Sequence, residues 1–156
     1  MAGAFTFALR MAGPDDAELL WQAFLAGRPT SHTTLPEALL RNQHRAREAA
    51  YAAGYPGIEN CVIVTAGRPV GRLLVWWSDD ECRVVDLVIL PAERRQGLAG
   101  LVLASLVDEA KRAGKPLRAN LPAENVSAQR LYHRLGFRLV SNDGASLAVE
   151  VPAPPG

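Results

Sequence analysis

A glycine-containing segment, Pro91–Gly100, has the residue types of an anion-binding loop. It follows an apolar, β-branched run that predicts a buried strand over Cys82–Leu90, and a helix is predicted to begin at Gly97. The first amides of a helix lack partners within the helix and carry the positive end of its dipole. Because the residues there are small and Arg94 and Arg95 stand beside them, the segment predicts a phosphate or pyrophosphate site. The same glycines also fit an ordinary helix start that packs closely against a neighbour.

Two other phosphate-binding motifs do not fit this segment. A P-loop carries Gly-Lys-Ser or Gly-Lys-Thr, and no such run follows Gly97 or Gly100. A dinucleotide-binding loop reads Gly-x-Gly-x-x-Gly, but Ala99 stands at its second glycine and no matching third glycine follows. The sequence therefore indicates neither an ATP-binding P-loop nor a dinucleotide-binding loop.

A second cluster, Asn125–Phe137, predicts a short helix that presents a tyrosine at the edge of its apolar face. Asn125 or Ser127 can cap the start of this helix, and Gly136 can end it. Tyr132 lies one position beyond the apolar face, where its ring can contact apolar residues and its hydroxyl can contact polar ones. Taken alone, this pattern favours a half-buried packing residue.

Together, the two segments resemble the sequence signature of the GNAT superfamily of N-acetyltransferases. The first is similar to that family's acyl-coenzyme A loop, [RQ]xxGx[GA], which here reads Arg94-x-x-Gly97-x-Ala99. The second is similar to the later half of the signature, which here reads Asn125-x-x-Ala128-x-x-Leu131-Tyr132-x-x-x-Gly136-Phe137. The resemblance is clear from Cys61 to Phe137 and weaker before it. Arg95 replaces a frequent glycine of the loop, so a slightly stiffer loop is expected.

The resemblance implies an α/β (α+β) fold with a mixed, mostly antiparallel central sheet flanked by helices. Its fourth and fifth strands would splay apart and hold acetyl-CoA in the gap, with the pyrophosphate on the loop amides and the pantetheine along the fourth strand. That strand would also hold the thioester carbonyl, and Asn125 would contact the cofactor arm. The residues implied in cofactor binding are Leu87, Val88, Ile89, Arg94, Arg95, Gln96, Gly97, Leu98, Ala99, Gly100 and Asn125.

The resemblance also implies direct attack of a neutral primary amine on the thioester, without a covalent enzyme intermediate. Tyr132 would protonate the leaving thiolate, since a phenol with a pKa near ~10 can share a proton with a thiol near ~8.5. The cysteines Cys61 and Cys82 are then not needed as nucleophiles, and both fit packing residues of strands. An acyl-CoA-binding sensor or interaction module without turnover is the alternative function.

Asp86 is the candidate general base, because an acid inside so apolar a strand needs a partner or a function. Strand alternation places it on the same face as Val88 and opposite Leu87 and Ile89. A structural hydrogen-bonding residue is the other interpretation of Asp86. Glu81 is a weaker candidate base, and water alone is a further alternative.

The amine acceptor would be a small molecule or an exposed peptide or protein amine, and the sequence favours neither. By the resemblance, its site would be built by residues 28–57 and by the turn 142–144. His32 and His44 fall in the first of these segments, and each fits a surface histidine better than a catalytic one. A basic stripe in the same segment fits a solvated helix face. Its residues are Arg41, Arg45 and Arg47.

The elements that must position these residues follow from hydrophobic periodicity and from glycine and proline breaks. Their order is typical of a mixed α/β or α+β sheet in one domain over residues 1–151, followed by a flexible Pro-rich tail over 152–156. Strands are predicted at Thr6–Met11, Cys61–Val64, Val70–Trp77, Cys82–Leu90, Pro116–Asn120, Phe137–Ser141 and Ser146–Val151. Helices are predicted at Ala17–Gly27, Pro36–Ala53, Gly97–Ala113 and Ser127–Leu135.

Length, charge and cysteine count limit the class of protein. The chain has 156 residues, 49% of them hydrophobic, and its 17 basic and 16 acidic residues give a net charge of +1. These values fit one domain with its own core and give no electrostatic reason to expect nucleic acid or a membrane as a partner. Neither a metal motif nor a signal peptide nor a membrane-spanning run stands out, so a cytoplasmic protein without a metal is expected. The resemblance also allows a homodimer formed through the last strands.

Overall fold

Seven strands and four α-helices make up the part of the chain that the computed structural model describes, residues 6–28 and 35–156. The strands are β1 (Ala8–Met11), β2 (Glu59–Thr65), β3 (Arg68–Trp77), β4 (Cys82–Ile89), β5 (Leu117–Pro122), β6 (Arg138–Asn142) and β7 (Ser146–Val151). The helices are α1 (Ala17–Gly27), α2 (Glu37–Gly54), α3 (Leu98–Arg112) and α4 (Val126–Arg134). Short 3-10 turns over Pro14–Asp16 and Pro91–Glu93 precede α1 and α3.

The strands form one sheet in the order β1-β2-β3-β4-β5-β7-β6. Every neighbouring pair is antiparallel except β4 and β5, which are parallel. A parallel pair needs a crossover connection, and α3 supplies it because it lies between β4 and β5 in the chain. The predicted mixed, mostly antiparallel sheet flanked by helices is therefore confirmed.

The fourth and fifth strands share only a short stretch of pairing, Cys82–Val84 with Leu117–Ala119. Just beyond it, Val85 is an extra residue of β4 relative to β3, so the strand carries a bulge at its middle. From there β4 runs alongside β3 alone, whereas β5 runs alongside β7. The two strands separate, and one edge of Asp86–Ile89 has no strand partner within the described ranges.

The two faces of the sheet differ in polarity. One face packs against α3 and α4 through an apolar core, and its most buried members include Ile63, Val70, Leu73, Val102, Leu103, Leu106 and Leu117. The opposite face lies against α1 and α2 and carries the guanidinium of Arg72, a residue only 4% exposed. Since a buried charge needs partners, polar side chains from the helices must meet the sheet on this second face.

Candidate active site

The loop between β4 and α3 leaves a run of backbone amides without protein partners. The Leu101 amide makes the first bond of the helix, to the Gly97 carbonyl at 3.0 Å. Among the described residues, no acceptor is found for the amides from Arg95 to Gly100. Two left-handed residues, Arg95 at φ 66° and Gly97 at φ 77°, turn the chain into the helix. Successive free amides at the positive end of a helix dipole fit a phosphate anion.

The side chain of Arg94 is turned back from this loop. Its Nε donates to the Ile89 carbonyl at 3.0 Å, and its Nη2 donates to the Ala26 carbonyl at 3.1 Å. Arg94 therefore ties the end of β4 to α1 and to the loop. Arg94 stays a predicted cofactor-binding residue, and these two hydrogen bonds add a positioning function at the end of β4.

The open edge of β4 holds the next predicted contacts, Leu87, Val88 and Ile89. Leu87 and Ile89 pack into the apolar core, whereas Val88 lines a cavity on the opposite face. β4 approaches β3 so closely here that a Cβ on Gly71 would overlap the Val88 carbonyl oxygen. The backbone of this stretch is held on its β3 side and has no strand on its other side, which fits pairing with an extended cofactor arm.

Asn125 caps α4, and Ser127 assists it. The Asn125 Oδ1 accepts a hydrogen bond from the Ala128 amide at 3.1 Å and another from the Ser127 hydroxyl at 3.2 Å. Of the two residues predicted as possible caps, the asparagine is the one that performs this function. Its amide nitrogen has no acceptor among the residues that the structure describes, so it can donate outwards.

Tyr132 lies near the end of α4 and is buried against the core. Its ring centroid lies 4.8 Å from that of Phe137, and the residue is 7% exposed. Burial raises the pKa of its hydroxyl above the usual value, and the charge of Asp86 raises this pKa further. Tyr132 therefore carries its proton at neutral pH and lies within electrostatic range of the candidate base.

A cavity opens between the sheet and the first two helices. The cavity is partly open to solvent, and ≈ 290 Å³ of its space is free of protein atoms. The centre of a water-sized sphere can occupy ≈ 20 Å³ of it, which is room for about one water molecule or a group of similar size. The lining residues are Ala23, Phe24, Gly27, His44, Arg47, Glu48, Tyr51, Arg72, Asp86 and Val88.

Asp86 lies in this cavity on the face of β4 that carries Val88, as strand alternation predicts. Burial raises the pKa of its carboxyl group, and the charge of Glu48 acts in the same direction. The guanidinium groups of Arg47 and Arg72 and the Leu87 amide oppose this shift without cancelling it. A carboxylate whose pKa is raised is a stronger base than an exposed aspartate, as a proton acceptor requires.

Arg72 and Glu48 form an ion pair beneath the cavity. The Arg72 Nη2 and Nη1 lie 2.5 and 2.8 Å from the two carboxylate oxygens of Glu48, and the Arg72 Nε donates to the Asn60 Oδ1 at 3.1 Å. All three nitrogens of the guanidinium are therefore used. The pair joins α2 to β3 and largely cancels its own charge within the cavity wall.

Two α2 residues of this cavity, Glu48 and Tyr51, are functional candidates that the sequence did not single out. His44 was expected at the surface, but it is half-buried, and its ring lies 5.1 Å from that of Phe24. Arg47 is exposed, as expected for a residue on a solvated helix face, and it also lines the cavity that contains Asp86. His44, Glu48 and Tyr51 recur at the spacing of one helix face, and this polar periodicity was the available signal.

Other predicted residues lie away from this cavity or outside the described ranges. Glu81, the weaker candidate base, pairs with Arg83 at 2.7 Å and with Arg118 at 3.4 Å. His32 lies outside the described residues. The cysteines are buried, and burial raises the pKa of Cys82 to about 12, so its thiol is not ionised at neutral pH. Asp86 remains the acid on β4 that faces the cavity.

Within residues 6–28 and 35–156, no group of three or more histidine, cysteine, aspartate or glutamate side chains could hold a metal ion. None of the described helices has the length and apolar character needed to cross a membrane.

Comparison with known proteins identifies the family. Residues 17–137 match the family described as acetyltransferase (GNAT). The L-methionine sulfoximine/L-methionine sulfone acetyltransferase of Salmonella typhimurium (strain LT2) is 33% identical over 100 residues, which are 60% of this chain and 57% of that protein. The match thus spans somewhat more than half of that relative's length.

Solved structures share the fold at low sequence identity. The PaiA N-acetyltransferase of Thermoplasma acidophilum, in complex with coenzyme A, is similar with a TM-score of 0.71 at 15% identity, over 94% of this chain and 99% of that one. The ribosomal-protein-S18-alanine N-acetyltransferase of Escherichia coli is similar with a TM-score of 0.67 at 19% identity, over 97% of this chain and 96% of that one. At these identities the structures establish the common fold.

Proposed function

This chain belongs to the GNAT family of acetyltransferases, whose cofactor is acetyl-CoA, and from this premise we propose that it acetylates a primary amine by direct attack in a ternary complex. The observation that carries the proposal is the position of Asp86 on β4. It faces the cavity, and it lies within electrostatic range of Tyr132. The candidate base thus lies on the cavity face of β4, and the candidate acid lies in the apolar core on the other face of the sheet.

Residues of the loop and of the open β4 edge would hold acetyl-CoA. The free amides from Arg95 to Gly100 suit its pyrophosphate, and the unpaired edge of Leu87–Ile89 suits its pantetheine arm. The free amide nitrogen of Asn125 can donate to the same arm. When bound, the cofactor supplies an acetyl thioester, in which a C–S bond breaks as the C–N bond to the amine forms.

Asp86 would take the proton that the acceptor ammonium must lose before attack. Its raised pKa brings its basicity closer to that of an amine, and the cavity has room beside it for the ammonium head or for one relaying water. The positive charges of Arg47 and Arg72 oppose the rise in the pKa of Asp86 and so favour its carboxylate form. Asp86 is thus proposed as the general base.

Tyr132 would give its proton to the sulfur of the leaving thiolate. The raised pKa of its hydroxyl ensures that the proton is present at neutral pH. Transfer of a proton by a positioned side chain contributes roughly 10²–10⁴-fold to rate. Because the reaction needs no covalent enzyme intermediate, the buried thiols of Cys61 and Cys82 take no part.

The comparisons leave two acceptor classes for this fold. One relative is named for two amino acid derivatives, and one structural neighbour is named for an alanine of a ribosomal protein. The proposed function therefore covers a small-molecule amine or a peptide or protein amine.

Release of free CoA from acetyl-CoA, measured against a panel of amines and peptides, tests the proposal. The wild type is compared with Tyr132→Phe and with a matched control, His133→Gln, whose side chain is exposed on the same helix. We expect one acceptor class to give turnover, and Tyr132→Phe to lose about 10²-fold or more in kcat while acetyl-CoA affinity is kept. Binding of acetyl-CoA without acetylation of any amine would favour the sensor function, and absence of binding would overturn the cofactor site.

A further inference from the structure

Two unpaired charges of opposite sign line the cavity next to α2. Arg72 and Glu48 neutralise each other, and the remaining charged lining residues are Arg47 and Asp86. These two form no ion pair with each other or with another residue of the described ranges. Each nevertheless shifts the pKa of the other towards the charged form, so they lie within electrostatic range. The gap between them is a place for a ligand that carries both signs of charge.

One hydrogen bond orients the exposed side chain of Arg47 and leaves its outer nitrogens free. Its Nε donates to the Tyr51 hydroxyl at 2.6 Å, one helical turn further along α2. The carbon at the centre of the guanidinium lies 5.5 Å from the centroid of the Tyr51 ring. The Nη nitrogens have no acceptor among the residues that the structure describes. Two such parallel donors match the two oxygens of a carboxylate.

The net charge of the cavity wall favours one class of acceptor. His44 contributes no stable positive charge, because burial lowers its pKa from the ordinary value. With Arg72 cancelled by Glu48, Arg47 would repel a purely cationic amine, and Asp86 would repel a pure anion. A zwitterion places its ammonium at Asp86 and its anionic group at Arg47, so both repulsions become attractions.

We propose that Arg47 selects acceptors that carry a carboxylate next to the reacting amine, as in a free α-amino acid, and that Tyr51 positions its guanidinium. This inference rests on the proposed function, because it names the acceptor class of the same site. Arg47 is a specificity-determining residue that touches the acceptor. Tyr51 is a positioning residue that acts through Arg47.

Paired acceptors test the inference, namely free L-amino acids and the corresponding carboxamides. The two members of a pair share the amine and side chain, and only the acid has the negative charge. The carboxamide has the less basic amine, so unassisted chemistry at neutral pH favours it. For the wild type, we expect kcat/KM for the acid to exceed that for the amide by about 10- to 100-fold.

Three variants separate recognition from folding. Arg47→Gln should bring the ratio of acid to amide close to one, mainly by raising KM for the acid, with KM for acetyl-CoA unchanged. Arg47→Lys should keep part of the preference, since it retains the charge without the fork of two donors. Tyr51→Phe should lower the ratio less than Arg47→Gln does. Arg45→Gln is the matched control, because Arg45 lies on the same helix, is exposed and bonds only to Asn42.

The outcomes distinguish this inference from the proposed function. Equal turnover of acids and amides by the wild type, or turnover of peptides alone, overturns the inference and leaves the acetyltransferase function intact. An acid preference that survives Arg47→Gln also overturns it. If no amine is acetylated, the proposed function fails, and calorimetric titration of amino acids into the protein–CoA complex decides the recognition step. Amino acid binding that is lost in Arg47→Gln supports recognition by Arg47. Absence of amino acid binding by the wild type overturns this inference.

Discussion

Arg72 of β3 and Glu48 of α2 are joined by two hydrogen bonds, at 2.5 and 2.8 Å, beneath the cavity that contains Asp86. The pair connects the helix that lines the cavity to the strand that neighbours β4. The Arg72 side chain is 5% exposed and that of Glu48 is 28% exposed. The position of α2 over the cavity therefore depends on the buried Arg72 guanidinium, which would be poorly solvated if Glu48 were removed.

Loss of Glu48 should be strongly destabilising. Glu48→Ala leaves the Arg72 guanidinium buried with Asn60 as its only remaining partner, and we expect a loss of about 3 kcal/mol in the free energy of unfolding, the lower end for a broken buried pair. Urea unfolding of the wild type and of Glu48→Ala measures this loss. Glu37→Ala is the control, because the pair of Glu37 with Arg41 is long, at 3.6 Å, and exposed, so a change within about 0.5 kcal/mol is expected. Equal effects of the two substitutions would contradict the structural function of the Arg72 pair.

The close approach of β3 and β4 should not tolerate a side chain at Gly71. Gly71→Ala places a Cβ on the Val88 carbonyl oxygen, which belongs to backbone and cannot rotate away. We expect a loss of about 2 kcal/mol in stability from this overpacking, together with weaker acetyl-CoA binding, since β4 must shift. Gly54→Ala is the matched control, because nothing lies within 4 Å of a Cβ there and the residue ends a helix. An unchanged melting temperature for Gly71→Ala would contradict this prediction, because it would show that β4 can move away from β3 without loss of stability.

Removal of one loop amide should weaken cofactor binding selectively. Ala99→Pro deletes the amide of the second residue of α3, a position in the first turn where proline is tolerated. We expect the Kd of coenzyme A to rise about 10-fold, as for one lost hydrogen bond to a charged group. Ala99→Ser keeps the amide and serves as the control. Calorimetry with pantetheine, which lacks the pyrophosphate, should give equal affinities for both variants, and a parallel loss there would indicate a distorted loop.

The pH dependence of the rate should report the environment of Asp86. Activity requires the carboxylate, and burial raises its pKa, so the rate should fall on acidification at a pH above the ordinary aspartate value of ~3.9. The groups facing Asp86 in the cavity are His44, Arg47, Glu48, Tyr51 and Arg72. His44→Gln should leave the acidic limb of kcat/KM in place. Asp86→Asn should lower kcat at pH 7 by about 10²-fold. If the acidic limb disappears in His44→Gln, the group that titrates is His44 and not Asp86.

The raised pKa of Asp86 should lower the free energy of unfolding at neutral pH. Because the folded state raises the pKa of Asp86, the charged form is disfavoured by folding, and this cost is fully present above the folded pKa. Below the pKa of the unfolded chain the carboxyl is neutral in both states and the cost vanishes. Asp86→Asn should therefore melt at a higher temperature than the wild type at pH 7, with the difference shrinking towards pH 3. A lower melting temperature at pH 7 would instead favour the structural hydrogen-bonding interpretation.

Most of the fold could be predicted from local sequence patterns. The predicted bounds of every strand and helix lie within about two residues of those observed, since glycine and proline breaks and apolar periodicity act over short distances. The bulge at Val85 could not be predicted, because an extra residue in β4 has meaning only relative to its partner β3. The reversal of Arg94 towards Ile89 and Ala26 was equally inaccessible, since Ala26 lies on an element distant in the chain.

Local patterns in the sequence were enough to predict the free loop amides, a helix cap at Asn125 or Ser127, and the face of β4 that carries Asp86. Each of these depends on neighbours a few residues away, through helix-end geometry or strand alternation. The residues that surround Asp86 could be identified only from the folded chain. His44, Arg47, Glu48 and Tyr51 look like parts of an ordinary surface helix until α2 is laid against β3 and β4. That helix is held by the Arg72–Glu48 pair and by the contact of His44 with Phe24 of α1, which join residues far apart in the chain.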